Sequence, residues 1–146
     1  MNKIMPKPIT PLLTVDAVIL LNQQKDLVLI RRKNPPFQGV LALPGGFVDI
    51  GETVEEACTR EAFEETNIKV NLIKLIGVFS DPKRDPRGHT VTVAFLCEPK
   101  TKHENPKAKD DAMSLEIIPL IELPSLKLAF DHMEIIRSSK ILDGFG

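Results

Sequence analysis

Apolar and polar positions alternate along this chain in blocks that predict strands first, then a helix, then strands again. Leu13 to Leu21 (LTVDAVILL) is apolar and β-branched throughout, with Asp16 as its one acid, which predicts a central strand. The polar turn Asn22 to Asp26 leads into Leu27 to Arg31, a hairpin partner. Leu41 to Leu43 predicts a short strand ending in the turn Pro44-Gly45-Gly46. Thr53 with Glu56 has the spacing of a capping box, so a helix is expected over 54–66. Val70 to Ser80 predicts a strand with a bulge near Gly77, and His89 to Cys97 alternates as another. Leu115 to Leu120 predicts a last short strand, and Phe130 to Leu142 an amphipathic terminal helix. Prolines 6, 8 and 11 make 1–11 an extended segment. Strands with one helix inserted and one at the end predict an α/β fold, a mixed sheet covered on both faces, with residues 1–146 as a single domain.

The helix over 54–66 carries acids where its buried stripe should run. At about 100° per residue, with Val54 at zero, Ala57, Cys58 and Ala62 share one face. Glu61, Glu64 and Glu65 fall at about 340°, 280° and 20° on the same wheel, on or beside that stripe. A solvated acidic face is the ordinary reading of such a run, but Glu55 and Glu56 already supply the outward acids. Carboxylates crowded at this spacing repel one another and call for a counter-charge. Hard oxygen donors of this kind suit Mg²⁺ or Mn²⁺.

The spacing is specific. Gly46, five residues, Glu52, seven residues, Arg60-Glu61, two residues and Glu64-Glu65 follow in order. This resembles the Nudix box, G-x5-E-x7-R-E-U-x-E-E-x-G-U with U aliphatic, Ala62 and Ile68 taking the U positions. Asn67 stands where the family has Gly; it is expected to end the helix in the left-handed conformation, where Asn is a common substitute. Leu41 stands where many relatives have Trp, a change that bears on packing.

The resemblance implies the Nudix-type α/β/α sandwich with its loop-helix-loop, and hydrolysis of a nucleoside diphosphate linked to another group. It implies metal ligands at Glu61, Glu65 and Glu64, with Glu64 a ligand or a base, and a carbonyl from Gly45 or Gly46. Gly46 and Glu52 are expected to support these ligands. Glu64, Glu104 and Arg60 make up the candidate catalytic set, with Arg60 pairing with Glu52 to brace the loop against the helix. In several of the ADP-ribose hydrolysing proteins that this chain resembles the general base is an acid on a late loop, which implies that Glu104, Asp110 and Asp111 compete for that part, with Glu104 favoured and Glu64 the alternative within the box.

Later segments resemble the ADP-ribose pyrophosphatase subgroup: SDPKRDPRGHTVTVAF with Pro82, then DDA (110–112), ELP (122–124) and AFDH (129–132). They imply cleavage of ADP-ribose to AMP and ribose 5-phosphate, and a homodimer. Arg84 and Arg87, on a loop stiffened by prolines, could hold phosphate or ribose through paired N–H donors, or merely keep the loop soluble. The cluster Arg31-Arg32-Lys33 is either a solvated surface patch or a set of phosphate contacts near the metal, with Arg31 the candidate contact, and Phe37 is either an adenine platform or a core plug. The alternatives are another nucleoside diphosphate derivative, an oxidised nucleoside triphosphate, or an ADP-ribose sensor without turnover.

Composition narrows the classes further. The 19 basic and 20 acidic side chains give no broad pull toward nucleic acid or membrane, and neither is expected as a partner. The chain lacks an 18-residue apolar run, and its proline-rich start is unlike a signal peptide. Cys58 and Cys97 read as small buried hydrophobes, so a cytoplasmic protein is expected. Trp and Tyr are absent, which leaves stacking on a ligand to the seven Phe.

Overall fold

The structure is a computed structural model describing residues 6–109 and 112–144. Its organising strand is β1 (Leu12–Leu21), whose apolar run is continuous because both of its faces are covered. On one side β1 runs parallel to β6 (Thr90–Pro99), from Leu12 opposite Thr90 to Ile19 opposite Cys97. Its other edge is shared. Thr14 to Asp16 pair with β4 (Gly45–Phe47), while Leu20 and Leu21 pair with the hairpin partner β2 (Asp26–Arg32). The sheet therefore forks along β1. Strand β3 (Leu41–Ala42) and β7 (Ala112–Pro119) join β2, and β5 (Val70–Phe79) closes the far side against β6. Register shifts in β5 fall between Leu72 and Lys74 and between Leu75 and Gly77, where a bulge was expected.

Alternation along β1 sends residues to two cores. Val15, Ala17 and Ile19 pack with Ala57, Cys58 and Ala62 of helix α1 (Val54–Thr66). Val18 and Leu20 pack on the opposite face with Leu120 and Leu123, from a 3-10 turn over Leu120–Ser125, and with Ile135 and Ile136 of α2 (His132–Ser138). This is the α/β/α sandwich. Helix α1 has the expected ends: Thr53 Oγ1 accepts from Glu56 N–H at 3.0 Å, Glu56 accepts from Thr53 N–H at 3.2 Å, and Asn67 caps the C-terminus at φ 61°.

The last strand starts at Ala112 instead of Leu115 and ends at Pro119, before the 3-10 turn, and two other elements differ more from the sequence reading. Pro44-Gly45-Gly46 is not only a turn, because Gly45–Phe47 continues as β4 along β1. The terminal helix is shorter than 130–142. Phe130 sits at φ 51°, so α2 starts at His132, and Lys140 at φ 66° stops the chain from continuing after Ser138. Local apolar spacing does not register these left-handed residues.

Candidate active site

The fork in the sheet opens onto a cavity of about 410 Å³ with an acidic end and a basic end. The acidic end is built by β4 and α1. Gly45 N–H donates to Glu65 Oε2 at 3.2 Å, and Glu65 is buried. Glycine at 46 makes room for Glu61: a Cβ there would stand 2.6 Å from its carboxylate. Glu61 and Glu65 both line the cavity. Arg60 stands behind them. It donates to Glu52 at 2.6 and 2.9 Å, to Glu61 at 2.8 Å, to Glu64 at 3.1 Å and to the Phe47 carbonyl at 2.9 Å. Glu52 also accepts from Asp49 N–H at 2.8 Å, so the loop before the helix is tied down at both ends. The Arg60 hydrogen bonds, with that backbone bond, hold the Glu52 carboxyl at about 2.

Glu61 has the opposite problem. Burial raises its pKa, only partly offset by Arg60, and Glu64 and Asp49 push it further up. Among the described residues no three His, Cys, Asp or Glu side chains stand close enough to hold a metal ion as placed, with Glu61 and Glu64 both drawn onto Arg60. The donors nonetheless fit a divalent cation. They are hard oxygens, Glu61 lacks full compensation for its charge, and the absence of a Cβ at Gly46 lets the Glu61 carboxylate lie directly against β4. Glu64 is more exposed and does not line the cavity.

The facing wall comes from distant segments. Asp16, the single acid in β1, is buried and accepts from the Thr92 hydroxyl at 2.6 Å. Arg84 Nη2 lies 3.9 Å from it, and Arg84 clamps Asp131 at 2.9 and 2.7 Å while donating to Thr90 at 2.9 Å. Burial pushes the Asp16 carboxyl up to about 7, against the pull of Thr92 and Arg84. His132 is buried beside it, with Nε2 3.4 Å from Asp16 Oδ1. Burial lowers the His132 pKa to about 3, against the pull of Asp131. The ring is therefore neutral, and its Nδ1 accepts from Leu43 N–H at 2.9 Å.

At the basic end Phe130 carries Arg32 over its ring at 4.9 Å and Arg87 at 5.7 Å. Arg87 is itself paired with Asp85 at 2.8 and 3.1 Å. Burial works against the Asp85 charge, but these hydrogen bonds prevail and hold its pKa below the usual range.

Besides Glu64, Arg60 and Glu52, which stand behind the acidic end, three candidates fall outside the cavity. Arg31 turns to Glu116 and to the Gly39 carbonyl at 2.9 Å, across the β2–β7 pair; its neighbour Arg32 lines the cavity instead. Phe37 meets Phe130 edge-on at 4.9 Å, and it is Phe130 that reaches the cavity. Glu104 accepts from Lys69 N–H and the Thr101 hydroxyl, each at 2.8 Å, beyond the C-terminal end of α1. Asp110 and Asp111 lie outside the described residues. Arg84 and Arg87 do line the cavity, though Arg84 is spent largely on Asp131. The sequence reading missed Asp16, His132, Phe130 and Asp131, and singled out Arg31 from a basic cluster in which Arg32 and Lys33 are the residues that line the cavity. The available signals were an acid inside a buried strand and the segment AFDH, neither of which says what it faces.

A NUDIX domain profile matches residues 10–138. The chain is similar to an ADP-ribose pyrophosphatase of Methanocaldococcus jannaschii, 47% identical over 127 residues, covering 87% of this chain and 72% of that protein. The NUDIX domain of Shewanella oneidensis NrtR, solved with ADP ribose, superposes with a TM-score of 0.79 at 30% identity, covering 90% of this chain and 87% of that one. A bifunctional NMN adenylyltransferase/ADP ribose pyrophosphatase of Francisella tularensis, solved with AMP and a Mn ion, gives 0.76 at 33% identity. That match covers 94% of this chain and 42% of the other. No helix among the described residues is long and apolar enough to cross a membrane.

Proposed function

Because this chain belongs to the NUDIX family, we propose that it hydrolyses the diphosphate of ADP-ribose, giving AMP and ribose 5-phosphate, with a divalent cation held at the acidic end of the cavity. One observation carries the reading: Glu61 and Glu65 beside Gly45 and Gly46 share a single cavity with Arg32, Lys33 and Arg87. An anionic diphosphate needs positive charge along its length, and this cavity offers guanidinium groups at one end and cation ligands at the other. The names of the Methanocaldococcus jannaschii and Francisella tularensis relatives support ADP-ribose as the substrate.

In this reading Glu61, Glu65 and the Gly45 carbonyl hold the cation, taken to be Mg²⁺ with Mn²⁺ as a substitute. Bound there, it would supply positive charge to the diphosphate oxygens and make water more acidic. Arg60 and Glu52 keep the loop and helix in register, which fixes Glu61. Glu64, half-exposed on α1 behind Glu61 and paired with Arg60, is the candidate base, since Glu104 is bound to Lys69 elsewhere. Arg32 and Arg87, stacked on Phe130, orient the far part of the substrate. The free, buried thiols of Cys58 and Cys97 suit a reducing cytoplasm. A homodimer, implied by the resemblance, has apolar surface available at Leu75 and Val78 on β5, and molar mass in solution checks it.

The test is a substrate panel with Mg²⁺ and chromatography of the products. AMP from ADP-ribose, at a rate above that from dinucleotides and oxidised nucleoside triphosphates, is the expected result. Tight binding of ADP-ribose with no AMP under any divalent metal would reassign the protein as a sensor.

A further inference from the structure

The segment from Leu43 to Gly46 joins strands that belong to different ladders. β3 ends at Ala42 and pairs with β2, while β4 begins at Gly45 and pairs with β1. Leu43 lies between them and is buried, so its N–H needs a partner from outside the sheet. His132, 89 positions later in the chain, provides it through Nδ1 at 2.9 Å. The next groups are held one by one: the Pro44 carbonyl accepts from Ala17 N–H at 2.8 Å, and Gly45 N–H donates to Glu65. Gly45 is pressed so closely to β1 that a Cβ would stand 2.2 Å from the Val15 carbonyl and 2.6 Å from Asp16 Oδ1.

His132 can act as a fixed post because it is itself held. It opens α2, whose Ile135 and Ile136 are fully buried, and it follows Asp131, which Arg84 clamps. With Nδ1 accepting, the ring proton lies on Nε2, facing Asp16. We propose that His132 is a positioning residue for the cation end of the cavity: by accepting from Leu43 N–H it sets where Gly45 stands relative to Glu65. The inference rests on the reading of Gly45 and Glu65 as cation ligands. It adds that their spacing is fixed from α2, on the opposite face of the sheet from α1.

The two ring nitrogens can be separated by substitution. His132→Asn places an amide oxygen near the Nδ1 position, keeping an acceptor for Leu43 N–H. His132→Gln places its amide near Nε2, keeping only the group that faces Asp16. Binding of Mn²⁺ alone, followed by calorimetry on the full chain, reads the cation end without turnover; kcat and KM for ADP-ribose are measured alongside. The expected result is Mn²⁺ affinity within about threefold of the parent for His132→Asn. His132→Gln and His132→Ala should weaken it by about tenfold and lower kcat more than they raise KM. Should His132→Ala fail to fold, the Asn and Gln pair still decides. Equal affinities across Asn, Gln and parent overturn the proposal, as does equal loss in Asn and Gln, or a parent that binds no Mn²⁺. A parent that binds Mn²⁺ but releases no AMP from ADP-ribose refutes the substrate reading alone, and the affinity order then still judges His132.

Discussion

The two walls of the cavity are built in different ways. The acidic wall is a local construction, in which Gly45 reaches Glu65 across 20 positions and Arg60 reaches Glu52 across 8. The wall facing it is joined by bonds spanning 47, 76 and 89 positions, from Arg84 to Asp131, Thr92 to Asp16 and Leu43 to His132. The local wall concentrates charge at its surface, where Glu61 stays under-compensated. The distant wall buries its charges and ties them to one another through Thr92, Arg84 and Asp131, although burial still holds the Asp16 carboxyl up at about 7. One wall is arranged to engage something that arrives, and the other to hold still.

That contrast ranks the expected effects of substitution. Glu65→Gln should cut kcat for ADP-ribose by about 10²–10³-fold at saturating Mg²⁺, with little loss of fold stability, because it removes one of several repelling acids. A rate near that of the parent would remove Glu65 from the ligand set. Arg84→Ala should act in the opposite way. It leaves Asp131 and the buried Asp16 without their guanidinium, so a loss of about 3–5 kcal/mol of stability is expected in urea titration. An unchanged unfolding midpoint with a raised KM would instead assign Arg84 to the substrate. Gly46→Ala sharpens the comparison, since the clash falls on a movable carboxylate and not on backbone. Its melting temperature should stay within about 2 °C of the parent while kcat falls about tenfold.

These walls were not equally legible in the sequence. The capping box, the helix bounds, the Arg60–Glu52 pair and the acid cluster were readable because each is set by spacing within one helix and its leading loop. Asp16 was visible as an acid in a buried strand, yet nothing nearby announced Thr92, Arg84 or His132 as its neighbours. Those contacts exist only after β1 pairs with β6 and α2 packs on the sheet. Arg31 and Arg32 show the same limit at finer grain. Adjacent residues on a strand point to opposite faces, so the fold, and not the composition of the cluster, decides which guanidinium meets the cavity. Phe130 displaced Phe37 for a related reason: its φ of 51° turns it inward before α2 begins, and apolar periodicity does not encode that.

Two smaller effects test the buried wall. An imidazole held neutral with its pKa lowered to about 3 binds its proton more weakly folded than unfolded, where the value is 6.5. Its stabilising contribution is thus complete above about pH 6.5 and declines as pH falls toward 3. Unfolding midpoints of the parent should accordingly rise from pH 4 to pH 6.5 more steeply than those of His132→Asn, which has no proton to bind at that position. Parallel slopes would mean that the ring is charged in the fold. Last, Glu104→Gln should leave kcat within about twofold, since its carboxylate serves Lys69 N–H and Thr101. A large drop would restore Glu104 as the base and imply that its loop moves.

Anomalous scattering from crystals grown with Mn²⁺ and a non-hydrolysable ADP-ribose analogue tests the central claim most directly. The account predicts a manganese peak within coordination distance of oxygens of Glu61, Glu65 and the Gly45 carbonyl, on the side of the cavity where the diphosphate lies. A diphosphate bound with no metal between it and these carboxylates, or manganese seated away from Glu61 and Glu65, would contradict it.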